Sequence, residues 1–154
     1  MLPLRGVQIN ADYLKILTSA SLNFFAREPS EAKDIFWELE VWSRLLRRNA
    51  DANLEEPDIV VNYDGLRIGI ACKKFYSERQ VENVLSEGVS QIGRDFDFGV
   101  VAMSLDDLLP ENVVLKEDST KAVAERLLRA NTDFIQQNQR HLKKYLSKGR
   151  VISA

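Results

Sequence analysis

The side chains best suited to chemistry in this chain are an aspartate and a lysine that two short strand-like runs bring together. Asp58 opens the run Asp-Ile-Val-Val-Asn-Tyr, and Lys73 closes the run Leu-Arg-Ile-Gly-Ile-Ala-Cys-Lys. Only Asp64-Gly65 separates the two runs, which is a strong signal of a two-residue β-hairpin. A carboxylate and an ammonium at one place can form a hydrolytic site, and they can equally form a plain salt bridge at a strand end.

A two-residue loop also determines how the strands pair and which face each side chain occupies. The predicted pairs are Tyr63–Leu66, Asn62–Arg67, Val61–Ile68, Val60–Gly69, Ile59–Ile70 and Asp58–Ala71. One face is then apolar and consists of Ile59, Val61, Tyr63, Leu66, Ile68, Ile70 and Cys72. On the other face, small residues such as Gly69 and Ala71 are expected to leave space beneath Asp58 and Lys73, so that both open into one pocket.

The elements around the hairpin follow from hydrophobic spacing and capping residues. Helices are predicted over 11–27, 34–48, 78–93 and 118–147, the third with a Ser77–Gln80 capping box and the fourth with a break at 131–133. Phe98 to Ser104 reads as a buried strand, and 150–153 as the start of another. This order predicts an α/β (or α+β) fold, with a mixed central sheet that has helices on both sides.

Length and composition predict one globular domain over residues 1–154, with a helical N-terminal segment (1–50), a core hairpin (57–74), and a C-terminal helix and strand (118–154). The abrupt stop after 150–153 leaves open that the chain is a fragment. The net charge is −2 among 154 residues, and one cysteine excludes an internal disulfide and a cysteine-based zinc cluster. The longest apolar stretch, Val100 to Met103, is too short to cross a bilayer, and a cytoplasmic location is expected.

Two segments carry a family resemblance. Glu55-Glu-Pro-Asp-Ile-Val-Val, followed after the hairpin by Ile70-Ala-Cys-Lys-Lys, resembles the PD-(D/E)XK nuclease superfamily, whose fold is restriction-endonuclease-like. The similarity spans roughly residues 35–92 and includes a glutamate on the preceding helix and a glutamine on the following one. The short motif alone is weak, and the ordered combination of helix, Pro-Asp strand, turn, Cys-Lys strand and Gln-bearing helix carries the resemblance.

The resemblance implies metal-dependent cleavage of nucleic-acid phosphodiesters, with Mg²⁺ or Mn²⁺ as cofactor and DNA as the expected partner. It implies that Asp58 and the backbone carbonyl of Cys72 bind the metal and that Lys73 positions the attacking water. Glu38, on the apolar face of its helix, matches the family's helix glutamate, and Gln91 matches its helix glutamine. Structural alternatives are an ion pair between Glu38 and an arginine, and an exposed Gln91.

One position departs from the family pattern, because Ala71 stands where the second acid is expected. The domain could be an inactive nuclease, the residue could be engineered, or the acid could have moved. Glu87 lies fourteen positions after Lys73 and next to Gln91 at i, i+4, on the flank of the buried helix stripe. A subgroup of type II restriction enzymes carries its acid on this helix, so Glu87 is predicted as the substitute metal ligand, with a solvated glutamate as the alternative.

A basic segment near the C-terminus suggests a phosphate-binding surface. Residues 134–150 hold no acid and five cations, of which Arg140, Lys143, Lys144 and Lys148 are the predicted nucleic-acid contacts. The helix dipole also favours cations at such an end, which is the structural alternative. Three functions therefore stay open: an endonuclease, an inactive nuclease-like module for nucleic-acid or protein binding, and an unrelated α/β binding domain. A homodimer is compatible with each.

Overall fold

The computed structural model describes residues 11–19, 23, 27–108, 117–146 and 151–153. Its α-helices are α1 (Ala11–Ser19), α2 (Glu31–Arg47), α3 (Val81–Ile92), α4 (Thr120–Gln137) and α5 (Gln139–Leu146). Its strands are β1 (Asp51–Asn53), β2 (Ile59–Tyr63), β3 (Leu66–Lys74), β4 (Phe98–Ser104) and β5 (Val151–Ser153). Short 3₁₀ turns, Glu78–Gln80 and Asp106–Leu108, precede α3 and follow β4.

The strands form one mixed five-stranded sheet in the order β1-β2-β3-β4-β5. β1, β2 and β3 are antiparallel neighbours, whereas β3, β4 and β5 run parallel. The register of β2 with β3 agrees with the predicted pairing from Ile59–Ile70 to Tyr63–Leu66. Asp64 and Gly65 adopt φ values of 50° and 80°, the left-handed pair that a type I′ turn requires. The mixed α/β class and the hairpin are therefore confirmed.

Helix α2 covers the sheet face that carries Ile59, Val61, Ile70 and Cys72. These four side chains are buried together with Trp42, and the indole N–H of Trp42 donates to the Ala52 carbonyl at 2.9 Å. Trp37 donates in the same way to Ala102 O at 3.0 Å. Both tryptophans therefore anchor α2 on the sheet through one apolar ring and one hydrogen bond each.

The opposite face is covered by α3, α5 and the aromatic residues that flank them. Val60, Ala71 and Val101 of the sheet are buried against Val81, Leu85 and Ile92 of α3, together with Phe75, Phe96, Phe134, Leu142 and Val151. The Phe75 and Phe134 rings meet edge to face with centroids 5.7 Å apart. Helices thus lie on both sides of the sheet, as predicted.

Several local predictions are corrected by the structure. The short strand β1 was not predicted, because three residues between a helix end and a loop carry no alternation signal. Helix α2 begins at Glu31, three residues before the predicted start. The C-terminal helix is interrupted at Asn138 rather than at 131–133. Ser77 accepts the backbone N–H of Arg79 and caps a 3₁₀ turn, so the capping box with Gln80 is not the one formed.

The ends of the hairpin faces also differ from the prediction. Tyr63 is 69% exposed and Leu66 is 38% exposed, so the two residues that flank the turn are not part of the buried apolar face. The space that Gly69 leaves on the opposite face is filled, since a Cβ at this position would lie 2.9 Å from the Phe96 ring. The predicted open pocket beneath this stretch of the hairpin is therefore occupied by an aromatic core residue.

No helix in the described ranges combines the length and apolarity that crossing a bilayer requires. Residues 20–22 and 24–26, at the end of the first predicted helix, and residues 147–150, which include Lys148, lie outside the described residues.

The close approach of α3 to β4 requires glycine at position 99. A Cβ there would lie 2.6 Å from Ile92 Cγ2, so Gly99→Ala is expected to lower the free energy of unfolding by about 2 kcal/mol through overpacking. Urea unfolding measures this change. The double variant Gly99→Ala, Ile92→Ala should lose less unfolding free energy than the sum of the two single-variant losses, because Ile92→Ala removes the clash. Additive losses would contradict the steric explanation.

Candidate functional site

Asp58 lies directly before β2, and its carboxylate is bound to the neighbouring strand. Asp58 Oδ2 accepts the backbone N–H of Cys72 at 2.6 Å, which brings the carboxylate to the residue adjacent to Lys73. Partial burial raises the pKa of Asp58 to about 6, although the Cys72 hydrogen bond and the positive charge of Lys73 act in the opposite direction. Among the residues that the structure describes, none donates a hydrogen bond to Oδ1, which remains available to a ligand.

Glu38 reaches the same place from α2. Burial raises the pKa of Glu38 to about 7, and the negative charge of Asp58 is the next largest cause. Its Oε2 accepts a hydrogen bond from the Tyr13 hydroxyl of α1 at 3.0 Å, which opposes the rise. Glu38 therefore binds a tyrosine instead of the arginine considered from the sequence. The two carboxylates repel each other in a half-buried setting, a condition that a cation would relieve.

Lys73 completes the group from the end of β3. Its positive charge lowers the pKa of Asp58 and also opposes the rise in the pKa of Glu38. The aliphatic part of Lys73 passes under α3, where a Cβ at Gly88 would lie 3.3 Å from Lys73 Cγ and 3.0 Å from Val101 Cγ1. Gly88 thus lets the helix approach the sheet and leaves room for the lysine stem.

Cys72 contributes its main chain to the site, while its thiol belongs to the core. The thiol is buried on the α2 face, and burial together with the nearby Asp58 and Glu38 charges raises its pKa. This agrees with the predicted position of Cys72 on the apolar face of the hairpin. The backbone N–H is already used by Asp58, and a metal bond from the Cys72 carbonyl stays a prediction.

Ala71 is fully buried and packs among apolar side chains. It pairs with Val101 of β4 and belongs to the same core cluster as Val60 and Leu85. An acid at this position would enter the hydrophobic core of the α3 face, where burial of a charge is costly. The environment of residue 71 therefore suits alanine.

Glu87 and Gln91 are both exposed on α3. Neither side chain makes a hydrogen bond or ion pair with another described residue. The structure thus brings Asp58, Lys73 and Glu38 together and leaves Glu87 and Gln91 at the surface. The metal-ligand role of Glu87 stays a prediction.

A buried polar cluster beside this group was missed by the sequence reasoning. Asp107, in the turn after β4, contacts Lys33 Nζ of α2 and Lys74 Nζ of β3 at 3.3 Å each, and all three side chains are at least 90% buried. Lys74 also donates to Ser104 Oγ at 3.0 Å. We call Lys33, Asp107 and Lys74 the lysine clamp. It ties the helix that carries Glu38 to the strand that carries Lys73.

Asp34 connects this clamp to the candidate site. It lies one helical turn before Glu38 and accepts the Tyr76 hydroxyl at 2.8 Å, while Lys33 Nζ lies 4.9 Å from the centre of the Tyr76 ring. The i, i+4 spacing of Asp34 and Glu38 was a usable sequence signal. No comparable signal pointed to Asp107, whose partners are more than thirty residues away.

The described residues contain no group of three or more Asp, Glu, His and Cys side chains that could hold a metal ion on its own. Two carboxylates with a free oxygen each are a smaller donor set. Mg²⁺ is often held by one or two protein carboxylates, with water and substrate phosphate supplying the other ligands. Asp58 and Glu38 fit that arrangement.

The predicted basic surface is present in part on α5. Arg140 and Lys143 are exposed, whereas Lys144 forms an ion pair with Glu82 of α3 at 2.5 Å. His141 Nδ1 lies 3.5 Å from the other oxygen of Glu82, Oε2. These contacts join α5 to α3. Of the four predicted phosphate contacts, Lys144 therefore has a structural partner. Lys148 lies outside the described residues.

Comparison with known proteins adds no relative, since the chain matches no family model and finds no significant match among curated proteins or solved structures.

The raised pKa of Glu38 predicts a pH-dependent stability. The folded protein holds the Glu38 proton more tightly than the unfolded chain, so its contribution to the free energy of unfolding falls between about pH 4.5 and about pH 7. Glu38→Gln should reduce this fall by roughly 1 kcal/mol, a modest value because solvent screens a partly buried charge. Urea unfolding at both pH values, with Glu40→Gln, a partly exposed acid that pairs with Arg44 on the same helix, as the control, measures it. An unchanged pH dependence would contradict the assignment.

The lysine clamp predicts a large effect of one neutralising change. Asp107→Asn removes the carboxylate charge that both buried ammonium groups contact and should lower the free energy of unfolding by about 3 kcal/mol. The triple replacement Lys33→Met, Asp107→Leu and Lys74→Met should be more stable than Asp107→Asn, since it removes the buried charges together. Asp106→Asn, an exposed neighbour, should change stability by less than about 1 kcal/mol. Chemical denaturation of the four proteins distinguishes these outcomes.

Proposed function

We propose that this chain is a metal-dependent nuclease domain that hydrolyses nucleic-acid phosphodiesters, with DNA as the expected substrate. The observation that carries the proposal is the convergence of Asp58, Glu38 and Lys73 at one end of the β2–β3 pair. Carboxylates that repel each other beside a lysine have the composition of a site for a divalent cation and a phosphate.

The fold supports the same proposal. A helix, a hairpin that begins with Pro57-Asp58, a Lys73-bearing strand, a second helix and a parallel strand follow one another in a single mixed sheet. This is the order of elements on which the PD-(D/E)XK resemblance rests. We therefore infer a restriction-endonuclease-like fold for the chain.

We assign the second metal ligand to Glu38 in preference to Glu87. Asp58 raises the pKa of Glu38, and Glu38 retains one oxygen, Oε1, that accepts no bond from the described residues. Glu87 is exposed and shows no described contact with this group. The acid missing at Ala71 would then be replaced from the helix before the hairpin.

Each residue has a distinct role in the proposed reaction. A bound Mg²⁺ or Mn²⁺ would supply Lewis-acid stabilisation of the charge that develops on the phosphate. Asp58 and Glu38 would hold the ion, with the Cys72 carbonyl as a further ligand. Lys73 would orient the attacking water and stabilise negative charge near it. Gln91 would contact a substrate phosphate, and Arg140 and Lys143 would bind the nucleic-acid backbone farther along.

The decisive test is cleavage of plasmid, single-stranded DNA and RNA substrates with Mg²⁺ or Mn²⁺. Asp58→Asn, Lys73→Met and Glu38→Gln should each reduce the cleavage rate by roughly 100-fold, whereas Glu40→Gln should retain it. Glu87→Gln separates the two ligand assignments, because it should keep activity if Glu38 is the ligand. Activity that survives Asp58→Asn and Lys73→Met would overturn the proposed site.

A second candidate function is a nuclease-like module that binds without cutting. The observation in its favour is the complete burial of Ala71 among apolar residues, which leaves the strand without its acid. Calorimetric titration with Mn²⁺ distinguishes the two functions. A heat of Mn²⁺ binding that disappears in Glu38→Gln supports the nuclease. If the protein binds DNA and does not bind the metal, the result supports the module.

A further inference from the structure

Tyr13 of α1 lies at the candidate site, although its helix precedes the segment that carries the family resemblance. Its hydroxyl donates to Glu38 Oε2 at 3.0 Å in a partly buried setting. Burial raises the pKa of Tyr13, and the negative charges of Glu38, Asp58 and Glu56 raise it further. Three carboxylates therefore act on this one hydroxyl, for which neither the sequence motif nor the proposed reaction has a role.

The Tyr13 hydroxyl acts on Glu38 as a hydrogen-bond donor. A phenol with a raised pKa stays protonated at neutral pH, so it is not an anionic ligand for a cation. The bond occupies one carboxylate oxygen, Oε2, and no described residue donates to the other, Oε1. Tyr13 thus holds one end of the Glu38 carboxylate and leaves the other end available.

Both acids of the candidate site share this pattern. Asp58 Oδ2 accepts the Cys72 N–H at 2.6 Å, and Oδ1 receives no bond from the residues that the structure describes. Each carboxylate thus has one oxygen bound to the protein and one that is free for a ligand. Carboxylates that ligate metals are usually held by such outer hydrogen bonds, and loss of one typically lowers metal affinity by roughly 10–100-fold.

The packing of α1 explains how the hydroxyl reaches Glu38. Tyr13, Ile16 and Leu17 are spaced i, i+3 and i+4 and are partly buried, whereas Leu14 is 52% exposed. Because α1 packs against α2, the Tyr13 side chain lies beside the helix that carries Glu38. The substitution Tyr13→Phe keeps the aromatic ring in this packing and removes only the hydroxyl.

We propose that Tyr13 is a positioning residue of the candidate site, whose hydroxyl fixes Glu38 Oε2 so that Oε1 is presented to a divalent cation shared with Asp58. This role rests on the proposed nuclease function, because it needs the metal ion that the nuclease would use. It gives α1 a part in the site, beyond the hairpin and the two helices on which the family resemblance rests.

The test is calorimetric titration of the full chain with Mn²⁺, with circular dichroism to show that each variant is folded. Tyr13→Phe should weaken Mn²⁺ binding by about tenfold, because the Glu38 carboxylate loses its outer hydrogen bond. Tyr63→Phe, at an exposed tyrosine beside the hairpin turn, should leave the affinity unchanged. Glu38→Gln should abolish the binding through which Tyr13 acts.

The outcomes separate this role from the nuclease proposal. If Glu38→Gln loses Mn²⁺ and Tyr13→Phe binds it as tightly as the unaltered chain, the nuclease proposal stands and the positioning role is overturned. Tighter binding by Tyr13→Phe would show that the hydroxyl competes with the ion, and would also overturn the role. If the unaltered chain binds no Mn²⁺, both proposals are overturned.

A second measurement uses the unaltered chain and does not depend on how a variant folds. The four tyrosines are labelled with ¹³C at Cζ, and the Tyr13 signal is assigned by its loss in Tyr13→Phe. Substoichiometric paramagnetic Mn²⁺ should broaden the Tyr13 signal first, because one carboxylate separates its hydroxyl from the ion. Tyr63 lies five residues along the strand from Asp58, about 16 Å away, and its signal should persist. Equal broadening of the two signals would overturn the proposal.

Discussion

The pairing of β2 with β3 through the Asp64-Gly65 turn is the constraint on which the rest of the structure depends. With two turn residues at positive φ, the register admits no slip, and every side chain of the hairpin is assigned to one face. Ile59, Ile70 and their neighbours then face α2, while Val60 and Ala71 face α3. The same register brings the Asp58 carboxylate to the Cys72 N–H and so next to Lys73. The two cores and the candidate site are consequences of one turn.

The second organising feature is the group of buried charged side chains at the ends of β3 and β4. The lysine clamp buries two ammonium groups on one carboxylate, an arrangement that contributes little net stability compared with apolar packing. Its geometric effect is specific, because it joins α2 to the strand end where Lys73 emerges. Asp34 and Tyr76 extend the contacts toward Glu38. A helix fastened in this way presents Glu38 at a defined place relative to Asp58.

The buried alanine at position 71 gives the candidate site its particular character. In the proposed nuclease, the acid is supplied by a helix on the other side of the sheet, where Tyr13 shares it through a hydrogen bond. Desolvation and the proximity of Asp58 make this glutamate harder to ionise than an exposed one. In that proposal, a bound cation would relieve the repulsion between Asp58 and Glu38 that is already present in the fold.

The sequence by itself determined the elements whose signals are local. Turn chemistry and alternation predicted the hairpin, its register and β4, and helical spacing located α2 and α3, because these depend on residues close in the chain. The same local signals predicted Asp58, Lys73 and Glu38 as candidate site residues. Only the tertiary structure decided that Phe96 fills the space above Gly69, that Tyr13 binds Glu38, and that Asp107 joins Lys33 to Lys74. These contacts join side chains from separate elements, and their formation depends on packing geometry that no local pattern encodes.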